Sequence, residues 1–189
     1  RYYREKQALA RARNEVIVTG GVQGTTRQSR ATCAYNAICN LFFEDIVAGR
    51  LKSKDVLREA YKLNPRFAAR RDAGLSDEQI RQVVDELAAR LGKSVKPVAQ
   101  DDIIRFMADH KRPVLVTLAS RDWHVAGKVN GHALVVGNPF IVRVFGEYRH
   151  IVFETFDGNY PTGMVGYIDA RELDKLMQAG LAIVDTSRH

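Results

Sequence analysis

Two of the 189 residues are cysteines, Cys33 and Cys39, and Cys33 stands where a thiol could act as a nucleophile. A thiol attacks a carbonyl only as thiolate, and the first turn of a helix favours that form because unsatisfied backbone N–H groups point at the sulfur. After Cys33, apolar positions recur at helical spacing at Ala37, Ile38, Leu41 and Phe42, with Ser29 or Thr32 available as an N-cap and Gly49 as a stop. The spacing predicts a helix over 33–47 with Cys33 in its first turn. Cys39 falls inside that helix and reads as a small core residue. The two thiols lie too close on one helix to bridge, so the chain has no disulfide framework and suits a reducing compartment.

A nucleophilic thiol needs a base to take its proton, held on a rigid element. His132, in Asn130-Gly131-His132-Ala133-Leu134-Val135-Val136, opens a predicted strand and is the choice. His150, which opens the next long strand, is its main rival, while His124 sits in a polar loop and His110 reads as a capping group at a helix end. The imidazole in turn needs an orienting group at the end of a neighbouring strand. Asp157, after Phe153-Glu154-Thr155-Phe156, takes that part, with Asn159 as the fallback. Asp157-Gly158 is equally a turn signal. The oxyanion of a tetrahedral intermediate would be met by the side-chain amide of Gln28 and the backbone N–H of Cys33.

The elements that must position these groups divide the chain. Residues 1–14 are charged and alanine-rich and predict a solvated connector helix before a short strand over 16–18; residues 20–30 read as a glycine-containing loop that delivers the chain to Cys33. Residues 1–19 are therefore expected as a connector and 20–189 as the folded domain. Helices are predicted over 54–63, capped by Ser53, over 77–91, where Ser76 and Gln79 form a capping box, and over 102–110. After Pro113 the composition turns β-branched and aromatic. Strands are predicted over 114–118, 132–136, 141–145, 151–156 and 165–168, joined by hairpins at Asn138-Pro139 and Gly146, then a helix over 170–177 and an edge strand over 182–184. The class is α+β, helices first and a mostly antiparallel sheet after.

Composition bounds the function classes. A 46% hydrophobic content supports one sizeable core, and the apolar runs fall well short of a membrane span. The net charge of +7 favours acidic surfaces, yet the arginines are scattered, so a generally basic surface is the reading and nucleic acid is not the expected partner. Cys33 and Cys39 lack the close spacing of zinc ligands and no His pair sits nearby, so neither metal nor cofactor is expected. The chain opens without methionine or a signal-peptide run, as a domain cut from a longer protein would.

Gln28-Ser29-Arg30-Ala31-Thr32-Cys33-Ala34, followed by Ala37 and Asn40-Leu41-Phe42, resembles the Gln-to-Cys helix start of papain-like peptidases, with a spacing close to that of Josephin deubiquitinases. Arg112-Pro113-Val114-Leu115-Val116, Gly131-His132-Ala133-Leu134-Val135-Val136 and Phe156-Asp157-Gly158 resemble the bacteriocin-processing, double-glycine peptidases. The likeness runs from Gln28 to about Leu176. It implies a papain-like fold: a helical lobe carrying Cys33 packed on a sheet carrying His132 and Asp157, with cleavage of peptide or isopeptide bonds after Gly-Gly. The double-glycine peptidases have Asp-Cys-Gly where this chain has Thr32-Cys33-Ala34, and the gap from His132 to Asp157 requires an inserted hairpin, 140–150.

Other readings compete with cysteine protease. The same triad could perform acyl transfer or deamidation, or act as a deubiquitinase, since all share the thioester intermediate. A non-catalytic binding module is the reading from another class. A dinucleotide enzyme fails because Gly20-Gly21-Val22-Gln23-Gly24 is followed by Thr26 where a third glycine is needed, and no βαβ pattern follows. The compact, basic unit suits a bacterial effector or toxin domain delivered into a target-cell cytoplasm, with an immunity protein as partner in its producer; otherwise a cytoplasmic protease is expected.

Overall fold

The computed structural model describes residues 33–67, 74–119, 132–144, 148–156 and 166–186. The predicted connector, 1–19, and the loop with Gln28 lie outside them, as do Asp157 and Asn159.

The first helical stretch breaks in two. Helix α1 spans Cys33–Leu41 and α2 spans Phe43–Val47, with a turn at Phe42 between them, and α2 ends where Gly49, at φ +77°, donates its N–H to the Ile46 carbonyl. Gly49 thus provides the predicted stop, because the left-handed conformation suits a residue without Cβ. Helix α3, Ser53–Leu63, starts one residue before the prediction. Asp55 accepts the Lys52 N–H at 2.9 Å and makes Lys52 the cap position, while the Ser53 hydroxyl is taken inward by Tyr35. Helix α4, Asp77–Arg90, carries the expected capping box: Gln79 N–H donates to Ser76 Oγ at 3.2 Å and Ser76 N–H to Gln79 Oε1 at 3.0 Å. Its buried residues Ile80, Val83, Val84 and Leu87 form one stripe, and Asp77 and Glu78 at the start with Arg90 at the end complement the helix dipole. A 3₁₀ turn, Gln100–Asp102, leads into α5, Ile103–His110, and Ala170–Leu176 forms α6.

The strands are β1 Lys93–Pro97, β2 Val114–Leu118, β3 His132–Val144, β4 Tyr148–Phe156, β5 Gly166–Asp169 and β6 Met177–Asp185. They make one sheet in the order β1-β6-β2-β3-β4-β5, with every neighbouring pair antiparallel. The class is therefore α+β. Three expectations change. The terminal strand, predicted at an edge, lies between β1 and β2 and is nine residues long. The edge is taken by β1, whose Lys-Ser-Val-Lys-Pro sequence hides its strand character; lysine and proline are what an edge tolerates and what discourages further pairing. The predicted hairpin at Asn138-Pro139 is a bulge inside a single 13-residue strand, with the register shifting between Gly137 and Phe140. Pro139 cannot donate to the ladder and Asn138 adopts φ +43°, so the strand bends without reversing. Strands β3 and β4 do pair as consecutive antiparallel strands up to Val144 and Tyr148, on either side of the predicted turn at Gly146.

Both faces of the sheet are covered. Alternation along the strands sends Leu115, Ala133, Val135, Leu181 and Ile183 into a core with α1, α3 and α4, and Val114, Val116, Leu134, Val136 and Ala182 into a second core with α5 and α6. The helices thus form two layers rather than the single lobe expected. Burial on both faces explains why β2 and the start of β3 read as continuous apolar runs.

Candidate active site

Every residue of α1 from Ala34 to Leu41 is buried, whereas Cys33, which opens the helix, is half-exposed. Cys33 packs against the core that contains Ala133, Val135 and Leu115.

The other end of α1 is located by its neighbours. Asn40 and Leu41 line a small cavity of about 30 Å³ with Lys111, Arg112 and Pro113. Pro113 in turn lies against β3 at Gly137, its Cβ 3.8 Å from where a Gly137 Cβ would stand. The tail of α1 thus sits at the Gly137 end of β3. Ala133, the residue after His132, and Val135 belong to the same core as α1.

His132 is 4% exposed and faces Leu118 across the β2–β3 ladder. It has the strand parity of Leu134 and Val136, which project into the second core, while Ala133 and Val135 project under α1. Phe156, opposite Val135, brings the end of β4 to the same end of the sheet; Asp157, the next residue, lies outside the described residues. His150 pairs with Val142 near the Tyr148 end of the β3–β4 ladder, roughly 30 Å along the strand from His132.

The second thiol has a different environment. Cys39 is fully buried and burial pushes its thiol up to about 12, only partly offset by a hydrogen bond with Tyr35. Burial likewise raises the Tyr35 phenol above its ordinary range. Two carboxylates run the other way. Burial alone would raise Asp45 and Glu59, but hydrogen bonds and charges outweigh it: Arg50 and Lys93 hold Asp45 below the usual carboxylate range, and Lys62 and Arg90 do the same for Glu59. These are braces. Lys93 Nζ at 3.0 Å from Asp45 ties α2 to β1, and Arg90 on Glu59 ties α4 to α3.

A pocket of about 360 Å³ opens on the α1 face, between the start of α4 and strands β2 and β6. Ile80, Leu115 and Leu181 contribute to its lining, Thr117 stands on its wall, and Asp77 and Glu78 are at its rim. Thr117 Oγ1 donates to Asp77 Oδ2 at 3.2 Å. Asp77 and Thr117 are forty positions apart, on a helix start and a strand, and nothing in the sequence signals their meeting. Among the described residues, no group of three metal-ligating side chains occurs, and no helix is long and apolar enough to cross a membrane. No protein-family model matches the chain, and no match to a curated protein was found.

Proposed function

We propose that the protein is a papain-like cysteine hydrolase that cleaves peptide or isopeptide bonds, with Cys33 as nucleophile, His132 as general base and Asp157 as the group that orients the imidazole. What supports the reading is the packing of α1, which opens with the partly buried Cys33, in one core with Ala133, the neighbour of His132 in β3. His132 has the parity of the far face, so the pairing with Cys33 requires its ring to leave the pleat at the start of β3.

In the reaction, His132 accepts the thiol proton as the sulfur attacks the substrate carbonyl. The tetrahedral oxyanion is met by the Cys33 backbone N–H and by Gln28, and collapse expels the amine with the proton returned by His132. Water then hydrolyses the thioester. An amine acceptor at that last step would make the product an acyl transfer, and a glutamine side chain as substrate would make it a deamidation. A Gly-Gly cleavage motif and delivery as an effector with an immunity partner belong to the same proposal through the family resemblance.

Wild type, Cys33→Ala and His132→Gln are incubated with a cell lysate and new N-termini are sequenced. New termini from wild type alone are expected, with His132→Gln slowed by about 10²–10⁴-fold. Equal termini from wild type and Cys33→Ala sink the proposal. If His132→Gln cuts as fast as wild type while retaining its melting temperature, His132 is not the base.

A further inference from the structure

We propose that the pocket between the start of α4 and strands β2 and β6 receives a lysine or arginine side chain of the bound peptide. That the guest is a peptide rests on the hydrolase reading; the chemistry of the pocket does not.

Size comes first. At about 360 Å³ the pocket lies at the small end of the roughly 300–1,000 Å³ range of ligand pockets, enough for one long side chain and part of its backbone. Its lining is graded. Ile80, Leu115 and Leu181 are almost wholly buried and offer an apolar seat for a methylene stem. At the rim stand the exposed carboxylates of Asp77 and Glu78. Among the described residues of the lining the basic group is Arg81, and it is directed to Asp85, with its Nε 3.8 Å from Oδ2. The Thr117 hydroxyl holds one oxygen of Asp77 against the pocket wall, which leaves the other for a cationic guest. Because the whole chain carries +7, this acidic mouth runs against the overall field and is a local feature.

Position joins the pocket to the candidate active site. Thr117 is the cross-strand partner of Ala133, the residue after His132, at a separation of about 5 Å. A peptide that seats a side chain beside Thr117 therefore passes close to the start of β3, where His132 stands.

The test uses isotope-labelled Cys33→Ala protein titrated with two amidated tetrapeptides, Gly-Arg-Gly-Gly and the same peptide with norleucine in place of arginine. The arginine peptide is expected to shift the amide signals of Thr117, Ala179 and Gly180 and to bind about ten-fold more tightly, the scale of one charge-assisted hydrogen bond. Glu78→Gln and Asp77→Asn, both at exposed positions, should remove most of that preference, and Ala179→Phe, which fills the pocket, should abolish the shifts. Equal binding of the two peptides, or shifts that miss these amides, overturns the inference. Failure of the hydrolase reading is separately visible as a wild type that leaves lysate proteins uncut; arginine selectivity retained in that case supports the pocket on its own.

Discussion

The Asn138 side-chain amide donates to the Glu154 carboxylate at 3.1 Å, across the point where the β3–β4 register shifts. Glu154 is 1% exposed, so this hydrogen bond both supplies a buried carboxylate with a donor and pins the bulge to its partner strand. Asn138 is also at φ +43°, a conformation that asparagine and glycine tolerate better than other residues. Asn138→Gly keeps the backbone and deletes the donor, and is expected to cost about 1–3 kcal/mol in urea unfolding. Asn138→Val, which adds backbone strain, should cost more.

Asp45 sets an acid limit on stability. Its folded-state pKa is lowered by Arg50 and Lys93, so the unfolded chain binds a proton more readily at this site. The stabilisation is fully present above the unfolded carboxyl pKa and is lost as pH falls through the lower folded value. Asp45→Asn should lower stability at neutral pH by about 1–3 kcal/mol and should flatten the fall in unfolding free energy on the acid side. A variant whose stability falls with acid as steeply as the wild type would show that other carboxylates carry the effect.

The two thiols should separate cleanly under iodoacetamide. With its thiol pushed up to about 12 and no exposure, Cys39 at pH 8 holds on the order of one thiolate in 10⁴. Native protein is expected to gain one label, at Cys33, and a second only after denaturation, with mass mapping as the readout. Rapid labelling of Cys39 in the native state would mean that α1 opens readily.

Thr155 is 0% exposed and its hydroxyl has no hydrogen-bond partner among the described residues. Valine matches its shape and strand preference without the stranded oxygen. Thr155→Val is expected to stabilise the protein by about 1 kcal/mol, read as a higher urea midpoint at unchanged slope.

Much of the architecture is written locally. The capping box of Ser76 and Gln79, the apolar stripe of α4, the run Val114–Leu118 and the stop at Gly49 each depend on neighbours within a few residues, and each occurs where the sequence predicts it. The misplacements share one cause. The strand β1 has no pattern of its own and exists because β6 offers it a ladder; β6 is central because β1 and β2 both pair with it; and Asn138-Pro139 bulges rather than turns because β4 continues past it to Tyr148. Strand order and register are non-local, since they depend on which surfaces are buried together once the chain has collapsed.

The sequence by itself determined which residue types are available for chemistry: one thiol at a helix start, one histidine at a strand start, an acid after a neighbouring strand. Only the tertiary structure decided that α1 shares a core with Ala133 and Val135 of β3, that His150 stands opposite Val142, far along that strand from His132, and that Asp77 meets Thr117 beside Ala133. Reactivity can be read from a residue and its neighbours in the chain. Proximity cannot, because it is fixed by the packing of elements that are distant in sequence.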